Sequence, residues 1–370
     1  MPQNLDDSTR CVIMAATILA VVPLSWFNLY LQYIYIPKLK AKDKSLTTNC
    51  CLVKGSLATI LIMMTISHVL YMVSLIFLGT EMDDYEMPLL DHDVLPSSIN
   101  FCEPDFMDNK YIAEPANSWS SLSFCGLALL GLFLLGPKKE IKFVVAYVSL
   151  FVIGLGSFFL HATLTATAQS GDELPMLWYV AIMCYITMDC ILKDRNDDTA
   201  SSFGSWRNKL LAIACTCSSI IATIAYVQNR EYFVVFYIMF SMYCVVLLFG
   251  LLFIVFSKMG GAKVGTESFR SNISLPMLNC FLWIYVLAVV SWVSEMLYCH
   301  DATIDKRWGT GIVPWFWNRA IHPLWHCTIA LVAFEIIQAL IAIEGVQKGV
   351  EPELRWSGAP YVTFARVQEK

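Results

Sequence analysis

The stretch YFVVFYIMFSMYCVVLLFGLLFIVFS, residues Tyr232–Ser257, has no charged side chain and is long enough to cross a bilayer as one helix. Eight further stretches have a similar character. They are Cys11–Pro37, Gly55–Thr80, Pro115–Gly136, Phe143–Leu160, Leu174–Met188, Leu210–Asn229, Ser271–Ser294 and Pro323–Ile343. These runs are too long for barrel strands and do not alternate in polarity. The sequence therefore predicts an all-α membrane protein with nine spans.

The composition favours the same class. Hydrophobic residues make up 57% of the 370-residue chain, and charged residues 15%, whereas an ordinary globular protein has about 25% charged residues. A single soluble core could not bury this much apolar surface, so lipid must surround much of it. The net charge of −5 and the lack of a basic stripe argue against a nucleic-acid-binding protein.

The basic residues of alternate loops orient the nine spans. Those expected to face the cytosol are Lys38, Lys40, Lys42, Lys44, Lys54, Lys138, Lys139, Lys142, Lys193, Arg195, Arg207, Lys209, Lys258, Lys263 and Arg270. The acidic loop at 81–108 contains no Lys or Arg and is expected to be lumenal. The positive-inside rule then predicts a lumenal N-terminus and a cytosolic C-terminus. The first stretch is too long for a signal-peptide core and is interpreted as a retained helix.

Four parts follow from this arrangement. Residues 1–80 form a two-helix transmembrane extension, and residues 81–113 form an acidic lumenal linker. Residues 114–346 form a seven-helix unit, and residues 347–370 form a cytosolic tail. The polar residues with chemical potential lie in the linker and in the seven-helix unit.

Three histidines are expected at one membrane depth. His322 and His326 begin the last span with the i, i+4 spacing that places two side chains on one helix face. His161 ends the span Phe143–Leu160 at the same lumenal end. Three imidazoles suit a tetrahedral zinc ion with one position open for water. A single histidine near an interface would more commonly be a hydrogen-bonded structural residue, so the prediction depends on all three.

Other polar residues accompany these histidines. Ser157 lies four residues before His161 and shares its helix face. Asp172 is placed at the beginning of the next span, where a single Asp is commonly an N-cap, although the pair Asp172-Glu173 supplies more than a cap needs. The intramembrane acids Asp189 and Glu335 lie deeper and are interpreted as structural or cavity-lining residues.

Three motifs, in this order, resemble those of the alkaline ceramidases. The first is EPANSWS at 114–120, and the last is HPLWH at 322–326. The second, GLGSFFLHATL at 154–164 followed by DELPM at 172–176, is the most specific, because spacing and identity match over more than 20 residues. The resemblance covers about residues 99–345 and leaves out the leading two-helix extension.

The resemblance implies a seven-helix intramembrane hydrolase that cleaves ceramide into a sphingoid base and a fatty acid. The zinc ligands carried over by position are His161, His322 and His326. Ser157 would hydrogen-bond the carbonyl oxygen as it gains negative charge. Asp172 would deprotonate the zinc-bound water and pass the proton to the leaving amine.

The resemblance also implies a calcium site in the linker. Its ligands would be Asn100, Phe101 through its carbonyl, Glu103, Asp105 and Glu114. The family has Asp where this chain has Asn100 and Asn where it has Asp105, so the exchange keeps three carboxylates for a cation that prefers oxygen ligands. Without the resemblance, an acidic linker would be interpreted as simply solvated.

The 13 cysteines do not form a disulfide framework. Most lie within spans, where Cys behaves as a small apolar residue. Cys102 and Cys299 fall on lumenal segments, and a lumenal compartment permits a disulfide bond. Related enzymes pair cysteines at corresponding places, which implies a Cys102–Cys299 bond and an endoplasmic reticulum or Golgi membrane.

Other functions remain open at this point. A different lipid hydrolase of the superfamily, such as a GPI-remodelling phospholipase, would share the histidines and the Ser/Asp pattern, but the pentapeptide at 172–176 favours a ceramidase. A zinc-containing receptor similar to adiponectin and progestin receptors would signal without turnover. A transporter or a structural membrane protein would bind no zinc. The expected partner is a ceramide or related membrane lipid, and protein partners are not indicated.

Overall fold

The computed structural model describes residues 59–70, 95–99, 101–106, 109, 111–135, 140–193, 202–256, 275–298, 318–348, 350, 352–356 and 360–364. The span predicted at 11–37, Asn100 and Cys299 lie outside these residues. The described helices are α1 (Thr59–Leu70), α2 (Pro115–Leu134), α3 (Ile141–Thr163), α4 (Ala166–Lys193), α5 (Ser202–Gln228), α6 (Phe233–Phe256), α7 (Leu275–Tyr298) and α8 (Ile321–Gln347).

Six of these helices are long and apolar enough to cross a membrane. They are α2 to α6 and α8, while the described apolar part of α7, Cys280–Glu295, and helix α1 are shorter. The prediction of a helical integral membrane protein is therefore confirmed. The count of nine spans stays a prediction.

Helix α8 is the centre of the bundle. In its most apolar window 83% of the residues are buried, compared with 11% in α5 and 22% in α6. Helix α8 packs against α2, α3, α4 and α7, whereas α5 and α6 lie at the periphery and pack against α4. Apolar side chains exposed on α5 and α6 are suited to lipid rather than to water. The histidine-bearing helix is therefore enclosed by its neighbours.

Helices α3 and α4 cross at two glycines. A Cβ atom at Gly156 would lie 2.0 Å from the carbonyl oxygen of Gly171, so only glycine permits this approach. Pro175 lies inside α4 and has no N–H to donate to the carbonyl four residues earlier, which is that of Gly171. Gly156 and Pro175, from the two parts of the second motif, thus allow the backbones of α3 and α4 to pack closely.

The turn between these helices is covered by the linker. Leu164 closes α3 in a left-handed conformation, with φ of 49°. Its carbonyl accepts a hydrogen bond of 2.8 Å from Ser97 N–H, and Pro96 forms a bridge with Thr165. The side chain of Gln169 holds the same segment through its hydrogen bonds with Ser98. Where it is described, the linker therefore forms an ordered part of this end of the bundle.

The opposite end of the bundle contains a buried ion pair and a strand hairpin. Lys142 Nζ lies 2.8 Å from Asp189, which agrees with the structural role expected for that acid. Strands β1 (Pro352–Trp356) and β2 (Pro360–Phe364) pair antiparallel within the predicted tail. Val362 N–H of β2 donates to Gln338 in α8, at 2.9 Å. The sequence did not predict this hairpin, whose contacts tie part of the tail to the central helix.

Candidate metal centre

The three predicted histidines meet at one end of the bundle. His161 lies in the last turn of α3, and His322 and His326 lie in the first two turns of α8. All three are at most 2% exposed. One ring nitrogen of each lies within 4.8 Å of the others, and the Nε2 atoms of His161 and His322 are 3.2 Å apart. The three side chains could therefore hold one metal ion between them.

Each imidazole uses its Nδ1 atom for a different partner. His161 Nδ1 lies 2.6 Å from Glu114 Oε2, and His322 Nδ1 makes a short hydrogen bond with Glu295 Oε2. His326 Nδ1 lies 2.8 Å from Ser120 Oγ. Since the two carboxylates are acceptors, the network assigns the proton to Nδ1 of His161 and His322.

The third imidazole is held by a serine. Ser120 Oγ donates to the carbonyl oxygen of Asn117 at 2.9 Å, so its lone pairs can accept from His326 Nδ1–H. The Nε2 lone pair of each ring is then the one left for a metal, and the Nε2 atoms of His161 and His322 are 3.2 Å apart. Without a cation these lone pairs would repel one another at such distances, whereas two nitrogens on one tetrahedral zinc lie about 3.3 Å apart. The residues present therefore fit a metal bound through three Nε2 atoms.

Ser157 lies next to this point of convergence. Its Oγ is 3.4 Å from His326 Nε2 and 3.0 Å from Ser121 Oγ, and its side chain is buried. Ser157 follows Gly156, the residue that contacts α4. The structure thus places the hydroxyl within reach of a group bound at the histidines.

Asp172 lies inside a helix rather than at its beginning. The sequence places the start of this span at 174, but α4 begins at Ala166. Thr165 is the residue that caps it, because its side-chain oxygen accepts from Ala168 N–H at 3.2 Å. The N-cap alternative for Asp172 is therefore wrong. Asp172 follows Gly171, so the close approach of Gly156 and Gly171 brings the Asp172 backbone against α3. Helix α3 carries Ser157 and His161.

The acids of the predicted calcium site are close together, but two of them also serve other groups. Glu103 accepts hydrogen bonds of 2.8 Å from the N–H groups of Ala116 and Asn117, at the beginning of α2. Glu114 shares its Oε2 atom between His161 and the Asn117 amide. Burial, followed by the charges of Asp105 and Glu103, raises the pKa of Glu114 well above its usual value. Asn100 lies outside the described residues.

Phe101 is next to the histidines as well. Its ring centroid lies 4.7 Å from that of His161 and 4.2 Å from that of His322. The sequence assigned this residue a role only through its carbonyl. Its side chain covers one side of the histidine cluster.

The sequence missed one acid of the site. Glu295 contacts His322, but the predicted span ended at Ser294, and this residue was given no role. Helix α7 continues to Tyr298, so Glu295 is in its last turn and is fully buried. The available signal was a lone acid directly after an apolar run at the lumenal end, at the depth expected for the three histidines.

Most of the described cysteines lie within helices, as the sequence indicates. The helical cysteines that carry thiols are Cys125, Cys184, Cys190, Cys215, Cys217, Cys244, Cys280 and Cys327. Cys102 in the linker is buried. Since Cys299 lies outside the described residues, the Cys102–Cys299 pairing stays a prediction.

The chain is similar to known proteins over most of its length. The family model described as Ceramidase matches residues 95–363. The alkaline ceramidase of Arabidopsis thaliana is 23% identical over 274 residues, which cover 73% of this chain and 93% of the relative. Alkaline ceramidase 1 of Homo sapiens is 24% identical over 288 residues, covering 72% and 93%. The chain therefore belongs to the ceramidase family of amide hydrolases, as its three motifs predicted.

Proposed function

We propose that this chain is a zinc-dependent ceramidase that hydrolyses the amide bond of ceramide, giving a sphingoid base and a free fatty acid. The meeting of three buried imidazoles beside Ser157 is the observation that carries the proposal. Relatives named alkaline ceramidases support the substrate class. Exposed apolar side chains on helices α5 and α6 suit a lipid environment, which would also hold a lipid substrate.

The histidines would hold the zinc ion, and their Nδ1 partners would orient them. When bound, zinc supplies a Lewis acid that activates water and polarises a carbonyl group. Glu114, Glu295 and Ser120 fix the ring tautomers and keep each Nε2 directed at the centre. Such outer contacts contribute to metal affinity as well as to orientation.

Two further residues would carry out the acid–base and electrostatic work. Ser157 donates its hydroxyl hydrogen to the amide oxygen as the carbonyl carbon becomes tetrahedral. Asp172 accepts a proton from the attacking water and then gives it to the nitrogen as the C–N bond breaks. The fatty acid leaves with the oxygen of that water, and the sphingoid amine leaves with the transferred proton.

We also propose that the acidic linker binds calcium through Glu103, Asp105 and Glu114, together with Asn100 and the Phe101 carbonyl. Glu114 supports this, because its Oε1 atom is buried without a hydrogen-bond partner among the described residues. A cation there would balance the charges of Asp105 and Glu103, which, after burial, raise the pKa of Glu114. Removal of calcium by a selective chelator should lower the thermal unfolding temperature, and calcium but not magnesium should restore it. An unchanged unfolding temperature would argue for a linker without calcium.

The organelle and the topology belong to the proposal as well. A lumenal N-terminus, a cytosolic C-terminus and an endoplasmic reticulum or Golgi membrane follow from the loop charges and the expected disulfide bond. Residues 1–80 would add two spans to the seven-helix unit. Ile60 of α1 belongs to the hydrophobic core formed with the later helices, so at least this part of the extension packs on the bundle.

The decisive experiment measures turnover and metal on the same sample. Detergent-solubilised full-length protein is incubated with ceramide carrying a labelled acyl chain, and the zinc content is determined in parallel. We expect about one zinc per chain and release of labelled fatty acid. Zinc without ceramide cleavage would favour another lipid substrate or a receptor, and a chain without zinc would refute the proposed mechanism.

A further inference from the structure

Glu295 joins three elements at the metal centre. It projects from the last turn of α7 and is fully buried. Its Oε2 atom makes a short hydrogen bond with His322 Nδ1 of α8, and its Oε1 atom accepts the backbone N–H of Cys102 in the linker at 3.1 Å. Both oxygens of one carboxylate are thus used by donors from two different segments.

This arrangement requires an acid rather than an amide. A carboxylate accepts at both oxygens, whereas a glutamine side chain has one accepting oxygen and one donating nitrogen. In the same place, glutamine could satisfy either His322 Nδ1–H or Cys102 N–H, and its nitrogen would face the remaining donor. A buried donor left without an acceptor is costly, so either the ring or the linker would move.

The negative charge of the Glu295 carboxylate also suits its position beside the metal centre. Glu114 and Glu295 each contact one of the three imidazoles, so two carboxylates flank a centre suited to a doubly charged cation. An anionic acceptor on Nδ1 makes the opposite nitrogen of the ring a better ligand. Cys102 follows Phe101, whose ring covers His161 and His322, so the same carboxylate also holds the covering segment in place.

We propose that Glu295 is a positioning residue for the metal centre, which orients His322 through Nδ1 and fastens the Phe101–Cys102 segment over the bound ion. The role rests on the proposed zinc-dependent function. Glu295 acts through His322 and the linker and has no direct role in bond cleavage. Its loss should therefore appear first in the metal site itself.

The test compares Glu295→Gln and Glu295→Asp with Glu335→Gln. Glu335 is also a buried glutamate, lies on α8 with the two histidines, and contacts Cys280. Zinc affinity is measured on the full-length protein by competition with a chromogenic chelator, and the absorption bands of the cobalt-substituted protein report ligand geometry. Thermal unfolding of each variant identifies effects on the fold.

We expect Glu295→Gln to lower zinc affinity about 10- to 100-fold, as changes behind a metal ligand commonly do, and to shift the cobalt bands. Glu295→Asp keeps the charge with a shorter reach and should recover part of the affinity. Glu335→Gln should keep the affinity and spectrum of the unchanged protein.

Unaltered affinity and cobalt bands in Glu295→Gln would overturn the positioning role while leaving the zinc enzyme intact. An equal loss of zinc affinity in Glu335→Gln would show that the effect of Glu295→Gln is general destabilisation. That result would also overturn the positioning role. If the unchanged protein bound no zinc, the proposed function itself would fail, which separates the two failures.

Discussion

Replacement of His326 by alanine should remove zinc from the protein and abolish ceramide hydrolysis. His326 is fully buried, and its Nε2 atom lies 3.4 Å from Ser157 Oγ, so it joins the metal site to the proposed oxyanion donor. Loss of one of three ligands should cost more than the ~10- to 100-fold in metal affinity expected for an outer contact. We expect zinc to fall from about one per chain to a small fraction, measured by elemental analysis, with hydrolysis at background.

His68→Ala is the matched control for this variant. His68 belongs to α1, and its Nδ1 atom contacts the Met64 carbonyl of the same helix at 2.9 Å. It should retain zinc and turnover. A His326→Ala protein that elutes normally and still holds one zinc per chain would contradict the three-histidine site. A variant that aggregates is replaced by His326→Gln, for which the same loss of zinc is expected.

Spacing along single helices explains why much of the site could be predicted. The i, i+4 pair His322 and His326 must share one face, and Ser157 must share a face with His161. The depth of each histidine followed from hydropathy, because a span fixes where its two ends lie. The structure places these four residues close together, while their roles in metal binding and catalysis stay predictions.

Contacts between distant segments could not be obtained in this way. The contacts of Glu295 with His322 and of Glu114 with His161 depend on the packing of α7, α8, α3 and the linker. No spacing rule joins positions so far apart in the chain. Glu114 had been assigned to calcium alone, and the ring of Phe101 had no predicted role. The start of α4 was also misplaced, since a Thr165 cap and the linker allow the helix to begin before its apolar run.

Substitution of Ser157 by alanine or of Asp172 by asparagine should lower turnover by about 100-fold or more while zinc remains bound. The proposed metal ligands are the three histidines, and the Ser157 hydroxyl lies beside them without being one of these ligands. Removal of an oxyanion donor costs about 100- to 1,000-fold in kcat. Removal of a general acid–base costs about 100- to 10,000-fold. Single-turnover hydrolysis and zinc content on the same samples measure both parts of this expectation.

Ser170→Ala supplies the comparison for these two variants. Ser170 lies on α4 between Ala166 and Asp172, and its Oγ donates to the Ala166 carbonyl of its own helix. Zinc and turnover should both persist in it. Because Asp172→Asn keeps the size of the side chain and removes its basicity, a variant with normal zinc and normal kcat would show that proton transfer uses another group. A loss of zinc in Ser157→Ala would instead make Ser157 part of the metal site.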